Sequence, residues 1–467
     1  MAGEWRIMSL EKAPLEIIDG DRGTNYPNQA EFSSTGHCLF LNAGNVTTVG
    51  FKFSDCAFIT AEKDASLRKG KLIRNDVVLT TRGTVGNTAY FDDSVPFDHI
   101  RINSGMVILR AQTPALQPRY LYLFVRSALF HAQVSALRTG SAQPQLPIRD
   151  INRIEIPIPP PEEQRAIAHI LGTLDDKIEL NRQINQTLEH IAQAIFKSWF
   201  VDFEPVKAKI EAKQNGQDPG RAAMRVISGK TDEELDAWIE SSTPEQIRQL
   251  NANAALFPDE LTDSNLSLLP KGWEWSTIGD EVDVVGGGTP STKNEEFWEG
   301  GTYHWTTPKD LSGLADKVLL NTERKITTSG LEKISSGLLP ADTVLMSSRA
   351  PVGYLVLAKI PTAVNQGFIA MKCNKRLPPE YVLQWANSVM DEIKQRASGS
   401  TFAEISKQTF RPMSILVPTA PVLMEYSKVS KNLYDKITES VAETNTLSMV
   451  RDLLLQKLLS GEISVQG

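Results

Sequence analysis

Apolar residues recur at steps of three and four along one long stretch of this chain: Ile167, Leu171, Leu174 and Ile178, then Leu188, Ala192, Ile195 and Trp199. That period marks a helix with one apolar face, and over several heptads it predicts a coiled-coil seam. Carried through the gap, the step lands on Asn181 and Asn185. Amides at seam positions lower stability and fix the register of pairing. The helix is expected to begin where the chain stops alternating apolar residues with proline. Pro159, Pro160 and Pro161 form a stiff extended lead-in with few backbone donors. Pro161 suits the first helical position, and Glu162 and Glu163 meet the positive end of the helix dipole. With no further proline until Pro205, the predicted rod has about 38 residues and a length of roughly 57 Å. A rod of that length needs a partner. The C-terminal stretch supplies one from Val422 onward, with Tyr426, Val429, Leu433, Ile437, Val441, Leu447, Val450, Leu454 and Leu458 at the same steps before Gly461. Two matching seams in one chain are buried most simply against each other, as an antiparallel pair.

The segments before the two rods tell the same story twice. Trp5 is followed by Leu10 as Trp273 is by Ile278, and glycine-rich turns come next at Gly20–Gly23 and Gly286–Pro290. An apolar strand then leads to Arg82 and Gly86 in one half and to Arg349 and Gly353 in the other, preceded by Asp76 and Asp342. Asn103-Ser104-Gly105 answers to Asn365-Gln366-Gly367, and an aromatic-rich helical pattern follows in each half, at 119–137 and 379–396. Small polar loops close both helices, at Thr139–Gln143 and Ser398–Thr401. The predicted fold is therefore α+β: two similar mixed α/β globules separated by two long helices that form an antiparallel coiled coil, with approximate two-fold symmetry. Residues 200–270 have no counterpart. Gly216–Gly220 is turn chemistry, Thr231-Asp-Glu-Glu234 reads as a capping box and Thr243-Pro244 as a second helix start. Two or three short acidic helices are expected there.

Composition narrows the class. The chain has 467 residues, 41% of them hydrophobic, and a formal charge of −7. Residues 200–270, with 7 basic and 13 acidic side chains, hold nearly all of the acid excess. The two globules are close to neutral, so nucleic acid would have to be met by a local basic face. Cys38, Cys56 and Cys373 form neither a paired set nor a metal-ligand spacing, and the six histidines contain no H-x-x-x-H pair. No run approaches 18 apolar residues and the N-terminus lacks an apolar signal core. A cytoplasmic protein with no membrane association is expected.

Three stretches carry a specific likeness: the proline-led helix PIPPPEEQRAIAHILGTLDDKIELNRQINQTLEHIAQAIF, the globule opening Pro270-Lys-Gly-Trp273-Glu-Trp, and Gly-Gly-Thr-Pro-Ser-Thr-Lys at 287–293. With them the chain resembles, over essentially its whole length, the specificity subunit of bacterial type I restriction-modification enzymes. The resemblance implies two target-recognition domains, each reading half of a bipartite site in double-stranded DNA, held apart by two spacer helices on which two adenine-methyltransferase subunits dock. Restriction subunits join that core to give an ATP-dependent nuclease. On this reading residues 1–158 are the first target-recognition domain, 159–204 the central spacer helix, 205–270 an acidic helical insert, 271–420 the second recognition domain and 421–461 the C-terminal spacer helix. The opening of the first domain departs from the family's Gly-Gly-Thr-Pro pattern. A structural assembly protein that scaffolds other subunits without reading DNA is the alternative.

The residues themselves show no chemistry. Gly229-Lys230-Thr231 ends like a nucleotide-binding loop, but Met224 stands where the first glycine belongs. An adenine methyltransferase would carry Asn/Asp-Pro-Pro-aromatic, and neither Pro159-Pro160-Pro161 nor Pro378-Pro379 has that company. The chain is expected to bind no cofactor itself, with S-adenosylmethionine, ATP and Mg2+ on partner subunits. Gly286–Pro290 reads as a tight turn rather than a phosphate cradle, because no helix start follows directly.

Two domains reading different half-sites should share scaffold and differ at contacts. That logic nominates Arg22, Asn25, Arg138, Ser141, Gln143 and Gln145 in the first domain, and Thr292, Lys293, Thr306, Lys309, Arg396, Ser400 and Thr401 in the second. Arg82 and Arg349 sit where a bidentate contact to guanine is apt, yet the acid that recurs with each, Asp76 or Asp342, favours an internal pair. For pairing and subunit docking the candidates are Ile167, Leu171, Leu174, Ile178, Asn181, Asn185, Leu188, Ile195, Trp199 and Phe203, with Val429, Leu433, Ile437 and Val441 on the second rod. Phe196, Trp199, Phe200 and Phe203 spread over more than one face, too wide for a two-helix seam, so part of the cluster is expected to meet a methyltransferase subunit or the other helix's end.

Overall fold

The computed structural model describes residues 5–140, 144–264, 268–399, 403–463 and 465. The chain divides into two compact units, Met1–Ile178 with Asn445–Gly467, and Glu179–Thr444. Among the described residues no helix is long and apolar enough to cross a membrane.

In the first unit a four-stranded antiparallel sheet runs in the order Leu15–Asp19, Met106–Ala111, Val77–Thr80, Thr88–Tyr90. Its central strands read as unbroken apolar runs because both faces are covered. Val77, Leu79, Val107 and Leu109 point into a core shared with the helix Pro118–Val125 and with the two long helices. The alternate residues Val78, Met106 and Ile108 pack on a second, three-stranded sheet of Phe58–Ile59, Cys38–Leu41 and Ile100–Ile102. The period of two thus sorts one strand's side chains into two cores.

The second unit repeats the plan. Its five-stranded sheet has the order Asp283–Val285, Phe368–Lys372, Thr343–Ser347, Leu355–Ala358, Val318–Leu319. Val344, Met346, Ile369 and Met371 face the helical side, whereas Leu345, Phe368 and Ala370 face the opposite core. A mixed sheet of Arg324–Ile326, Tyr303–Thr306 and Thr362–Val364 completes the unit. In each unit a tyrosine of the helix that follows the main sheet donates its hydroxyl to the carbonyl of the last strand before the long helix: Tyr120 to Pro157 at 2.7 Å, and Tyr381 to Leu416 at 2.8 Å.

The central helix spans Pro161–Phe196 and the C-terminal helix Ala420–Leu459. Within the first unit Ile167 and Leu171 are buried with Leu455, Leu458 and Leu459. Within the second, Leu188, Ala192 and Ile195 share a core with Leu433, Ile437 and Val441. There Asn181 reaches Glu443 and Glu189 reaches Tyr434, so partner numbers fall on one helix as they rise on the other and the pairing is antiparallel. Ile178, Asn181 and Asn185 are buried, Leu174 and Val429 half-buried. Val450, expected on the seam, is exposed, and the inward positions are Arg451 and Leu455 instead. A real helix at 3.6 residues per turn drifts from a strict heptad, and the seam moves with it.

Past Phe196 the helix changes pitch. Lys197–Val201 forms a wide turn of i→i+5 type, closed by the Asp202 N–H on the Lys197 carbonyl at 2.8 Å. Phe203 takes a left-handed φ of 54° and a new helix starts at Glu204. The rod therefore stops short of the 159–204 expected. Among its described residues the insert holds four helices rather than two or three: Glu204–Gln214, Pro219–Ser228, Asp232–Ser241 and Pro244–Leu256. The caps are those read from the sequence, with Thr231 and Glu234 satisfying each other's backbone N–H.

One buried ion cluster ties the outer part of the first unit together. Asp64, on the short helix Ala61–Ser66, accepts from Arg101 on the strand Ile100–Ile102 and from Lys71, while Arg101 also donates to the carbonyls of Asp64 and Lys69. Burial alone would push the Asp64 carboxyl up; the hydrogen bonds and charges of Lys71 and Arg101 outweigh it and hold the group below its ordinary 3.8. A carboxylate held low in the folded state gives stability that is present above its ordinary pKa and lost as the pH falls through the lowered value. Asp64→Ala strands the buried Arg101 and should cost about 3–5 kcal/mol. Denaturant titration of the variant near neutral pH checks this, and the difference from the unsubstituted chain should shrink as the pH falls through the lowered Asp64 value.

Candidate nucleic-acid interface

The site is built from the end of one strand and the base of one loop, and the two units build it alike. In the first unit the strand Val77–Thr80 runs out at Thr81 and Arg82, whose N–H groups both reach the Gly105 carbonyl, at 2.7 and 3.2 Å. Leu146 donates to the Thr81 carbonyl, and Thr139 and Gln145 exchange backbone bonds at 2.9 and 2.8 Å. Gln145 thereby lies beside Arg82. In the second unit Ser348 donates to Gly367, Ile405 to Ser348, and Ser398 and Glu404 exchange bonds at 3.0 and 2.9 Å. Glu404 lies beside Arg349.

The turn after each arginine also repeats, atom for atom. Thr80 and Ser347 accept from backbone N–H groups of Asn87 and Tyr354 through their side-chain oxygens. Gly86 and Gly353 take φ of 97° and 106°, which favours glycine. This conformational match shifts the sequence alignment by one residue. Asn75 and Asp342 are the equivalent pair, both left-handed at φ of 75° and 63°. Asp76 therefore has Thr343, not Asp342, as its counterpart.

That shift removes the reason for pairing the two arginines internally. Asp76 is buried and takes a bidentate fork from Arg110, at 2.8 and 2.7 Å. Asp342 takes Lys359 at 2.9 Å. The Arg82 side chain is exposed, whereas Arg349 lies 3.8 Å from the Glu404 carboxylate. The units thus share their backbone frame and differ in the charge beside the arginine, Gln145 in one and Glu404 in the other.

Around this frame the first unit brings Arg22, Arg82 and Gln145 to one cleft, together with Asp19, Pro147 and Ile148. Arg22 is held by the Asp19 carboxylate at 3.2 Å and the Ser104 carbonyl at 3.3 Å. Its turn is tied by Asp21, which accepts from Gly23 and Arg68. The Gly23 N–H is the main reason the Asp21 carboxyl lies below its ordinary value, the Arg68 N–H helping against burial. Asn25 donates to the Ser66 carbonyl and remains exposed, as does Arg138.

In the second unit Thr292 and Lys293 are exposed in a turn. Lys309 pairs with Glu323 at 2.7 Å and Arg396 with Glu392 at 2.7 Å, both at the surface. Thr306 does not belong to the site. It lies on a covered strand with no exposed surface, its hydroxyl on that of Thr362 at 2.7 Å. Ser141, Gln143, Ser400 and Thr401 lie outside the described residues. The glycine-rich turn serves backbone packing: a Cβ on Gly287 would stand 1.8 Å from the Val364 carbonyl oxygen, and one on Gly20 2.3 Å from that of Asn103.

Sequence reasoning missed Arg149 and Arg153, whose side chains are 83% and 67% exposed just past the loop base and share Asp150. In the second unit Lys407, at the place of Ile148, is an exposed cation near Gly286. The signal was their position within a short stretch after the apolar anchors Leu146 and Ile405. Trp199 and Phe203 both help close a core within the second unit: buried Trp199 packs on Phe257 and Tyr426, and half-buried Phe203 on Trp273. Contact with the other helix's end, through Tyr426, is the part that the structure contains. Among the described residues no group of three or more His, Cys, Asp or Glu could hold a metal ion.

Comparison with known proteins supplies the family. The family model described as type I restriction modification DNA specificity domain matches residues 15–190 and again 270–439. The type I restriction enzyme HindI specificity subunit of Haemophilus influenzae is 30% identical over 479 residues, covering 98% of this chain and all of the relative. The MjaIX specificity subunit of Methanocaldococcus jannaschii is 33% identical over 40% of this chain and 44% of its own length. The crystal structure of the S subunit of a type I restriction-modification system from M. genitalium shares the fold, with a TM-score of 0.53 at 15% identity over 98% of this chain and 96% of that one. The double match of the family model falls on the two halves that carry the repeated arginine frame, and the chain belongs to the family of type I restriction-modification DNA specificity subunits.

Proposed function

We propose that each unit reads one half of a bipartite double-stranded DNA site and that the chain itself performs no chemistry. The observation that carries this reading is the duplicated frame. The same strand end and loop base present Arg82 in one unit and Arg349 in the other, while the side chains around them differ. A shared scaffold with different contacts is what two different half-sites require. An exposed arginine at such a point can take guanine O6 and N7 together. Arg82, beside neutral Gln145, is the stronger DNA contact of the two; Arg349 must first leave Glu404.

On this reading two adenine-N6 methyltransferase subunits dock on the paired helices, and restriction subunits join them. S-adenosylmethionine, ATP and Mg2+ belong to those partners, which flip the adenine into their own pockets. The central helix supports docking through a second apolar row, Leu180, Ile184 and Ile191, exposed on the flank beside the seam. Apolar rows of this kind on a helix mark a partner's face.

Sequencing methylated adenines in cells expressing the complex tests the DNA reading. The expected motif is split, with two specified halves and an unspecified gap, and a continuous motif contradicts it. Arg82→Ala should cost about 1–3 kcal/mol of binding and relax one position of a single half-site, measured by competition gel shift against duplexes altered at each position. Leu180→Glu with Ile184→Glu should abolish co-purification with the methyltransferase subunits while leaving the helical circular-dichroism signal unchanged. Retained co-purification would move the docking face elsewhere.

A further inference from the structure

We infer that two carboxylates of the central helix, Asp175 and Glu189, are positioning residues that fix how each recognition domain is set on the helix pair, and so restrict the spacer length between half-sites. This rests on the bipartite reading above and deepens it.

Each carboxylate stands where three elements meet and gives one oxygen to each neighbour. In the first unit Asp175 Oδ2 accepts from Arg126 of the recognition domain at 2.7 Å, and Oδ1 accepts from Arg451 of the C-terminal helix at 2.8 Å. In the second unit Glu189 Oε2 accepts from the Tyr434 hydroxyl of the C-terminal helix at 2.8 Å. Its Oε1 accepts from the recognition domain, from Gln384 Nε2 at 3.1 Å and from Lys317 Nζ at 3.2 Å. Gln384 also donates to the Tyr434 hydroxyl at 2.6 Å, which closes the network. Tyr434 and Gln384 have almost no exposed surface, and Asp175, Arg126 and Arg451 are mostly covered.

The apolar contacts around these junctions do not set an angle. Leu and Ile side chains slide over one another at little cost, since burial is proportional to area and has no direction. A charge-assisted hydrogen bond does have direction, and in a covered site it is costly to leave unmade. Rotation of a domain about the central helix would break the bonds of one oxygen while the other held. Neither carboxylate belongs to the apolar seam, so pairing of the helices does not by itself demand them.

The DNA makes such play consequential. One extra base pair in the spacer moves the second half-site by about 3.4 Å along the duplex and turns it by roughly 35°. A domain free to rotate by that order would accept neighbouring spacers; a domain held at a three-way junction would not.

The test uses the full chain in complex with its methyltransferase subunits. Methylation rates are measured on duplexes that carry both half-sites at the native spacer and at one base pair more or less. Asp175→Ala and Glu189→Ala should each lower the preference for the native spacer at least tenfold, with the penalty for a mismatch inside either half-site unchanged. Glu189→Gln, which keeps one acceptor oxygen where the carboxylate has two, should restore only part of the preference. Should the alanine variants fail to assemble, Tyr434→Phe removes one hydroxyl from the junction and should lower the preference several-fold. An unchanged spacer preference in the assembled variants overturns the inference. If the unsubstituted complex itself shows no split motif, the bipartite reading has failed instead.

Discussion

The pairing of the two long helices is the constraint on which everything else depends. A 36-residue helix with a sustained apolar face cannot stay single in water, and the C-terminal helix of 40 residues is the partner its own chain provides. The seam between them is not uniformly apolar. Asn181 is buried and reaches the Glu443 carboxylate at 2.7 Å, with Thr444 at 3.3 Å. Asn185, equally buried, hydrogen-bonds Asp316 of the recognition domain, and burial raises that carboxyl above its ordinary value. A slip of either helix would strand these groups, so polar positions give a register that leucine and isoleucine alone would leave open.

On that pair the chain builds the same recognition unit twice. In each, one sheet divides its side chains between two cores by simple alternation, and the ends of its strands lead out of those cores. The frame of Thr81, Gly105 and Leu146, or of Ser348, Gly367 and Ile405, is fixed by backbone bonds that any side chain tolerates. Sequence can therefore vary at Arg22, Gln145, Arg149, Glu404 or Lys407 without cost to the fold, which fits the proposal that one scaffold serves two targets.

Much of this was legible in the residues. Pro161 with two glutamates marks the first turn of the central helix, and the spacing from arginine to glycine reveals the duplicated frame. What was hidden followed from matching chemistry where conformation decides. Asp76 and Asp342 look equivalent by residue type, but the left-handed residues are Asn75 and Asp342, and only backbone geometry shows it. Thr306 looks like a polar contact residue because nothing in the sequence tells that its strand is covered by a neighbour. The aromatic residues after Ala192 exceed a two-helix seam because they close a third element, formed by the insert and the opening Trp273 of the second unit. Val450 was misplaced because a heptad count drifts over ten turns of a real helix.

The central claim is that the two halves read DNA independently on a common spacer. Replacing residues 1–158 with the matching stretch of a relative that has a different target, followed by sequencing of the methylated adenines, tests it most directly. The account predicts a motif in which one half-site is exchanged while the other half-site and the spacer length persist. A change in both half-sites, or in neither, would contradict it.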